Sequence, residues 1–459
     1  VERKRCAAAL AVAATAVVTL SQPATAAPSD AAAPGAAEVT NQYIVKFKDG
    51  ADRADVLRRL GTRFGARLSD ARQLGTGARL IRADRNAAGL LQALAASDRV
   101  EYAEPDVMLH ALSVPNDPEY PAQWHYSEPA GGINGPGAWD VTKGSGVVVA
   151  VIDTGRTAHP DLDANTVAGY DFISSASNAR DGNGRDSNPQ DEGDWNATAG
   201  ECGPGSEAGD SSWHGTHVAG TIAAVSDNGV GVAGVAPQAK VQHARVLGKC
   251  GGALSDITDA IVWASGGSVS GVPANATPAR VINMSLGGSG RCTRAYQSAI
   301  TAAVRRGTTV VVASGNSNAD GSGYNPGNCN NVVSVSSLNR AGNRAFYSNF
   351  GSTVDIAAPG GEVRRATDAP GTRTTPQDGV LSTLNAGTTT PAGPAYKTYM
   401  GTSMAAPHVA GVAALLLSHT PGLTPAQAEA ALKDTARPIP GSCPEGCGAG
   451  LVDAAAAVR

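Results

Sequence analysis

Six consecutive apolar residues, Val147-Val148-Val149-Ala150-Val151-Ile152, narrow the possible folds more than any other stretch of this chain. A strand with one solvated face alternates apolar and polar residues. An unbroken run therefore points to a strand buried on both faces, as in a parallel sheet. The run stops at Asp153-Thr154-Gly155, and similar runs recur at 240–247, 280–286, 308–313, 331–335 and 354–358. Between several of them, residues 255–264 and 294–305 have helical character. Strands alternating with helices predict an α/β domain, a mostly parallel sheet flanked by helices, over residues 113–459. Ligands of such sheets gather beyond the carboxyl ends of the strands, so polar residues there are the candidates for chemistry.

The segments ahead of this domain read differently. Charged, mostly basic residues 2–5, an apolar stretch from Ala7 to Leu20 and Ala24-Thr25-Ala26 predict a secretory signal over residues 1–26. The apolar stretch is short for a membrane span, and no other segment could cross one. Residues 27–40, rich in Ala and Pro, read as a linker. Residues 41–112 predict a small α+β (ferredoxin-like) domain. In it, 43–47, 78–82 and 100–107 are extended, while Val56, Leu60, Phe64 and then Leu90, Leu91, Leu94 follow helical spacing. A Pro- and Gly-rich joining segment, 115–136, carries Trp124 and Tyr126.

A net charge of −4 gives no case for a nucleic-acid partner. Of seven cysteines, Cys6 leaves with the signal. Cys202, Cys250, Cys292, Cys329, Cys443 and Cys447 remain, and an even number in an exported chain favours disulfides. Pairing of sequence neighbours would join 202 to 250, 292 to 329 and 443 to 447.

Several polar residues sit at turn-to-element junctions. Asp153 ends the first run, Ser285 follows 281–284, and Asn316 follows 310–315. His214 lies in Trp213-His214-Gly215-Thr216-His217-Val218-Ala219-Gly220, a glycine-flanked turn entering an apolar run. Ser403 lies in Gly401-Thr402-Ser403-Met404-Ala405-Ala406-Pro407-His408, which runs into an Ala/Leu-rich helix pattern. At a helix's first turn, unpaired N–H groups and the positive dipole end favour a developing oxyanion. Pro407 is compatible with a helix start. Taken alone, Ser403 is an ordinary N-cap and Asp153 a strand-end cap. Together, a serine, an imidazole and a carboxylate are what nucleophilic catalysis at neutral pH requires.

The motifs DTG, HGTHVAG, ASGN and GTSMAAPHVAG, in the order Asp153, His214, Ser403, resemble the subtilisin family of serine endopeptidases; that order is subtilisin's own. The resemblance spans about residues 115–459, and the block at 41–112 resembles the family's inhibitory, chaperone-like propeptide. It implies Ser403 as nucleophile, His214 as general base and then acid, and Asp153 as the group orienting His214. Asn316 would donate to the oxyanion beside the Ser403 amide. Ser285-Leu286-Gly287-Gly288 resembles the family's strand that pairs with substrate, with residues 245–252, Gly252 among them, as the opposite edge.

The implied protein is a secreted, monomeric precursor acting on proteins and peptides. Its own propeptide would inhibit it until self-cleavage near residues 110–114. A silent binding protein on the same fold and an esterase are the rivals, although Ser403 lacks the G-x-S-x-G elbow. HGTH lacks the H-E-x-x-H zinc pattern, and His217 and His408 read as packed, hydrogen-bonded residues. Between Asp153 and His214 an inserted acidic loop, 181–194, offers Asp186, Asp191 and Asp194 to calcium. Asp161 matches a calcium-binding aspartate of the family, although the family's following calcium loop is altered here at 226–232.

Overall fold

The apolar runs become neighbouring strands of one sheet. A computed structural model describes residues 39–85, 87–107 and 114–459. The expected signal, nearly all of the linker and most of the maturation junction lie outside the described residues.

Residues 39–107 fold as βαββαβ: β1 (Val39–Phe47), α1 (Arg53–Phe64), β2 (Leu68–Gln73), β3 (Arg79–Ala83), α2 (Leu90–Ala95) and β4 (Val100–Val107). The antiparallel order β2-β3-β1-β4 is ferredoxin-like. Tyr43, Val45, Ile81, Val56, Leu90 and Leu94 form its core. Asp52 caps α1 through the Asp55 amide, and Gly65, left-handed at φ 60°, ends it.

The second part begins with the helical turns α3 (Trp124–Ser127) and α4 (Gly135–Trp139). Then come β5 (Val148–Asp153), β6 (Thr166–Asp171), α5 (Ala176–Ala179), α6 (His214–Ala223) and β7 (Lys240–Arg245). They are followed by α7 (Leu254–Ala264), β8 (Val281–Met284), β9 (Gly288–Ser289), α8 (Arg294–Arg305) and β10 (Thr309–Ala313). The chain continues through β11 (Tyr324–Asn325), β12 (Val333–Leu338), β13 (Ile356–Pro359), β14 (Val380–Asn385) and β15 (Pro394–Tyr399). It ends with α9 (Thr402–His419), α10 (Pro425–Asp434) and α11 (Ala454–Ala457).

Seven strands form a wholly parallel sheet in the order β13-β12-β10-β8-β5-β7-β6. Along β5, Val149 and Val151 enter the core shared with α6 and α9, while Ala150 and Ile152 enter the opposite core with α7 and α8. Burial on both faces is why the run never alternates. Two antiparallel pairs, β9–β11 and β14–β15, stand outside this sheet. Disulfides join Cys202–Cys250, Cys292–Cys329 and Cys443–Cys447. Among the described residues no helix is long and apolar enough to cross a membrane.

Candidate active site

The carboxyl ends of β5 and β8 and the first turns of α6 and α9 open onto one cleft of about 1080 Å³. It is lined by His214, Ser403, Asn316 and all of Ser285 to Gly288, with Gly252 on the other edge. Asp153 is fully buried at the end of β5, and its Oδ1 accepts from the Thr154 amide at 2.7 Å. The His214 Nδ1–H donates to Asp153 Oδ1 at 2.8 Å and lies 3.0 Å from Oδ2. The glycines of the two motifs allow this approach: a Cβ on Gly215 would lie 2.3 Å from the Gly155 carbonyl oxygen. Burial opposes a charged imidazole, but Asp153, helped by Asp194 and Asp191, outweighs it and holds the His214 pKa above its ordinary value.

Ser403 is the second residue of α9, so its amide has no carbonyl one turn back within the helix. Its Oγ donates to the Ser285 carbonyl at 3.1 Å, and the hydrogen bonds of the described residues include none between Ser403 and His214. Ser285 is tied to the same turn, its hydroxyl donating to the Ser403 carbonyl at 2.7 Å. Asn316 Oδ1 accepts from the Thr402 amide at 2.8 Å and the Thr402 hydroxyl at 2.9 Å. A backbone amide can only donate, so this bond fixes the Asn316 flip and leaves Nδ2 for the cleft.

A domain model of the subtilase family matches residues 144–450. The chain belongs to that family. A second model, the fervidolysin N-terminal prodomain, matches residues 24–106. This subtilase is 54% identical over 441 residues to an extracellular protease of Xanthomonas campestris, covering 92% of this chain and 73% of that one. It is 43% identical to an extracellular basic protease of Dichelobacter nodosus, covering 91% and 70%. Among solved structures, one of proteases from Pseudoalteromonas arctica aligns with a TM-score of 0.72 at 59% identity, covering 75% of this chain and 99% of that one. The protein is thus an extracellular serine protease of subtilisin type with an N-terminal prodomain.

In the acidic insert of this subtilase, the aspartates expected to hold calcium are not gathered into one cluster. Asp186 accepts from Asn183 Nδ2 at 2.8 Å and the Asn188 amide at 2.7 Å. Asp191 is buried with Oδ1 on the Gly193 amide at 2.9 Å, and Asp194 binds the Ser212 amide and hydroxyl at 2.6 and 2.7 Å. Asp186 thus serves its own turn, whereas Asp194 reaches across to Ser212. Among the described residues no group of three or more His, Cys, Asp or Glu is placed to hold a metal.

Asp161 differs. Its Oδ1 accepts from Asn228 Nδ2 at 2.8 Å, and its Oδ2 from the Val232 amide at 2.8 Å and the Tyr396 hydroxyl at 3.3 Å. Asp117, from the joining segment, accepts the Asp227 and Asn228 amides of the same turn at 3.0 and 3.2 Å. Burial raises the Asp161 carboxyl to about 6 and moves Asp117 in the same direction. Among the described residues neither has an ion-pair partner. Two buried carboxylates flanking one turn, neither paired with a basic side chain among the described residues, are hard oxygen donors of the kind a divalent cation takes. Sequence reasoning missed Asp117 because it lies in a segment read only as a connection.

Proposed function

We propose that this subtilase is a secreted endopeptidase in which Asp153, His214 and Ser403 act as a catalytic triad through an acyl-enzyme. The Asp153–His214 contact at 2.8 Å, facing the same cleft as Ser403 and Asn316, carries the reading. Asp153 holds the Nδ1–H tautomer, which leaves His214 Nε2 to accept a proton. With substrate bound, the Ser403 hydroxyl exchanges its bond to Ser285 for one to His214, since such contacts tighten in the Michaelis complex. Its oxygen attacks the peptide carbonyl as His214 takes the proton. The oxyanion is met by Asn316 Nδ2 and the Ser403 amide. His214 then gives its proton to the departing amine, and water, activated by His214, releases the acyl group.

The substrate lies extended between Ser285–Gly288 and the edge ending at Gly252, held by main-chain hydrogen bonds. Residues 41–112 form the intramolecular inhibitor, residues 113–459 the peptidase domain, and the active form is a monomer released by self-cleavage. An organophosphonate serine probe tests the reading. A single adduct on Ser403, absent from Ser403→Ala, supports it; no adduct on folded, processed protein refutes it. We also propose structural calcium held by Asp117 and Asp161 with oxygens of residues 225–232. Excess chelator then lowers the thermal midpoint, and Asp161→Asn removes most of that dependence.

A further inference from the structure

The acidic insert reaches the wall of the cleft through Asp194. Among the lining residues Asp194 is the only carboxylate, and lysine and arginine are absent from them. The Ser212 amide on Oδ1 and hydroxyl on Oδ2 hold this carboxylate rigid. A carboxylate offers about four acceptor positions, so about two remain for a substrate. Asp194 has no ion-pair partner among the described residues. Arg180, which acts on it electrostatically, stacks 3.4 Å over the Trp195 ring and donates to the Gly193 and Trp195 carbonyls.

Side chains of an extended substrate alternate between the two sides of its backbone. Ala313–Gly315 lie at the end of β10, whereas Leu247 follows β7 and His214 meets Asp153 at the end of β5, so these lining residues stand on opposite sides of β8, with Asp194 beside His214. A residue whose carbonyl meets Asn316 would face the first side, and the residue before it the second. Leu247 offers apolar surface to a methylene stem and Asp194 a fixed negative charge to a cationic head. The Cys202–Cys250 disulfide ties the segment that follows Asp194 to the 248–252 edge, and both cysteines line the cleft.

We propose that Asp194 makes this subtilase select a lysine or arginine at the substrate position immediately before the residue whose carbonyl is attacked. The selection rests on the endopeptidase reading above. The competing role for Asp194 is purely structural, pinning Ser212 two residues ahead of His214, and that role would affect every peptide alike.

The test uses processed protein and two peptides differing only by arginine or leucine at that position. A charge-assisted contact at a half-open site predicts about tenfold higher kcat/KM for arginine at low ionic strength. The ratio falls towards one at about 1 M salt. It also falls in Asp194→Asn, whose amide oxygen still accepts from Ser212. Equal turnover of the two peptides, or a preference unchanged in Asp194→Asn, overturns the proposal while leaving the endopeptidase intact. Failure to cleave either peptide overturns both. Should Asp194→Asn not fold, the salt dependence of the unsubstituted protein decides.

Discussion

The first turns of α6 and α9 hold His214 and Ser403; one turn further on, the same helices hold His217 and His408. The first pair faces the cleft and the second is fully buried. His214 gains a carboxylate at 2.8 Å, whereas His217 Nε2–H is shared between the Val380 and Lys397 carbonyls at 3.1 and 3.0 Å, its ring stacked on Tyr399. His408 donates Nδ1–H to the Met404 carbonyl at 2.7 Å and accepts at Nε2 from His125 Nδ1–H at 2.8 Å. Burial acts against charge in all three. Only Asp153 reverses it, so the His214 pKa is raised while His217 falls to about 3 and His408 to about 4. A histidine's role here is set by the group its ring meets, not by its helix.

The widest separation between the two turns comes from removing that carboxylate. Asp153→Asn should lower kcat by about 10⁴-fold without unfolding the protein, because the amide no longer fixes the tautomer. Next in size is Asn316→Ala, expected to cost about 100- to 1,000-fold in kcat with little change in KM, the scale known for subtilisin's own oxyanion asparagine. A loss confined to KM would remove Asn316 from the transition state. Smaller again is the pH profile. His214 must be neutral to accept the Ser403 proton, so kcat/KM should fall with acid through an apparent pKa above 6.5. Asp194→Asn, by withdrawing one nearby carboxylate, should move that limb downward. A limb at or below 6.5 in the unsubstituted protein would contradict the electrostatics of the first turn.

What the sequence disclosed follows the same division. The six apolar runs were legible because both faces of their strands are buried. β6, with the sequence TVAGYD at the sheet edge, was not, since its half-open burial leaves no continuous run. β14 was hidden for another reason. Its Ser382 and Thr383 are buried, yet donate to the His217 and Thr216 carbonyls of α6 at 2.8 Å each. Polar residues serving as partners to a helix defeat a pattern built on apolarity. The motif residues Asp153, His214, Asn316 and Ser403 stood out through their junction positions. Asp194 did not, because composition cannot say whether a loop's carboxylates face each other or a cleft. His217 and His408 read as packed residues, and so they are, but their pKa values follow from partners distant in sequence.

The smallest effect at neutral pH belongs to the second turn and appears only in acid. Folded His408 keeps a pKa of about 4, below the 6.5 of an unfolded histidine. Between those values the unfolded chain binds a proton that the folded chain refuses, so stability is fully present above pH 6.5 and lost as pH falls towards 4. No carboxylate offsets this, since the two ring nitrogens are taken by the Met404 carbonyl and His125, and Tyr126 packs against the ring. The loss from this ring is on the order of 3 kcal/mol across that window. His408→Gln, made in Ser403→Ala to prevent autolysis, should therefore lower the thermal midpoint modestly at pH 7.5 and flatten its decline between pH 6.5 and 4. An equally steep decline in both proteins would place the acid sensitivity elsewhere and leave His408 with a packing role alone.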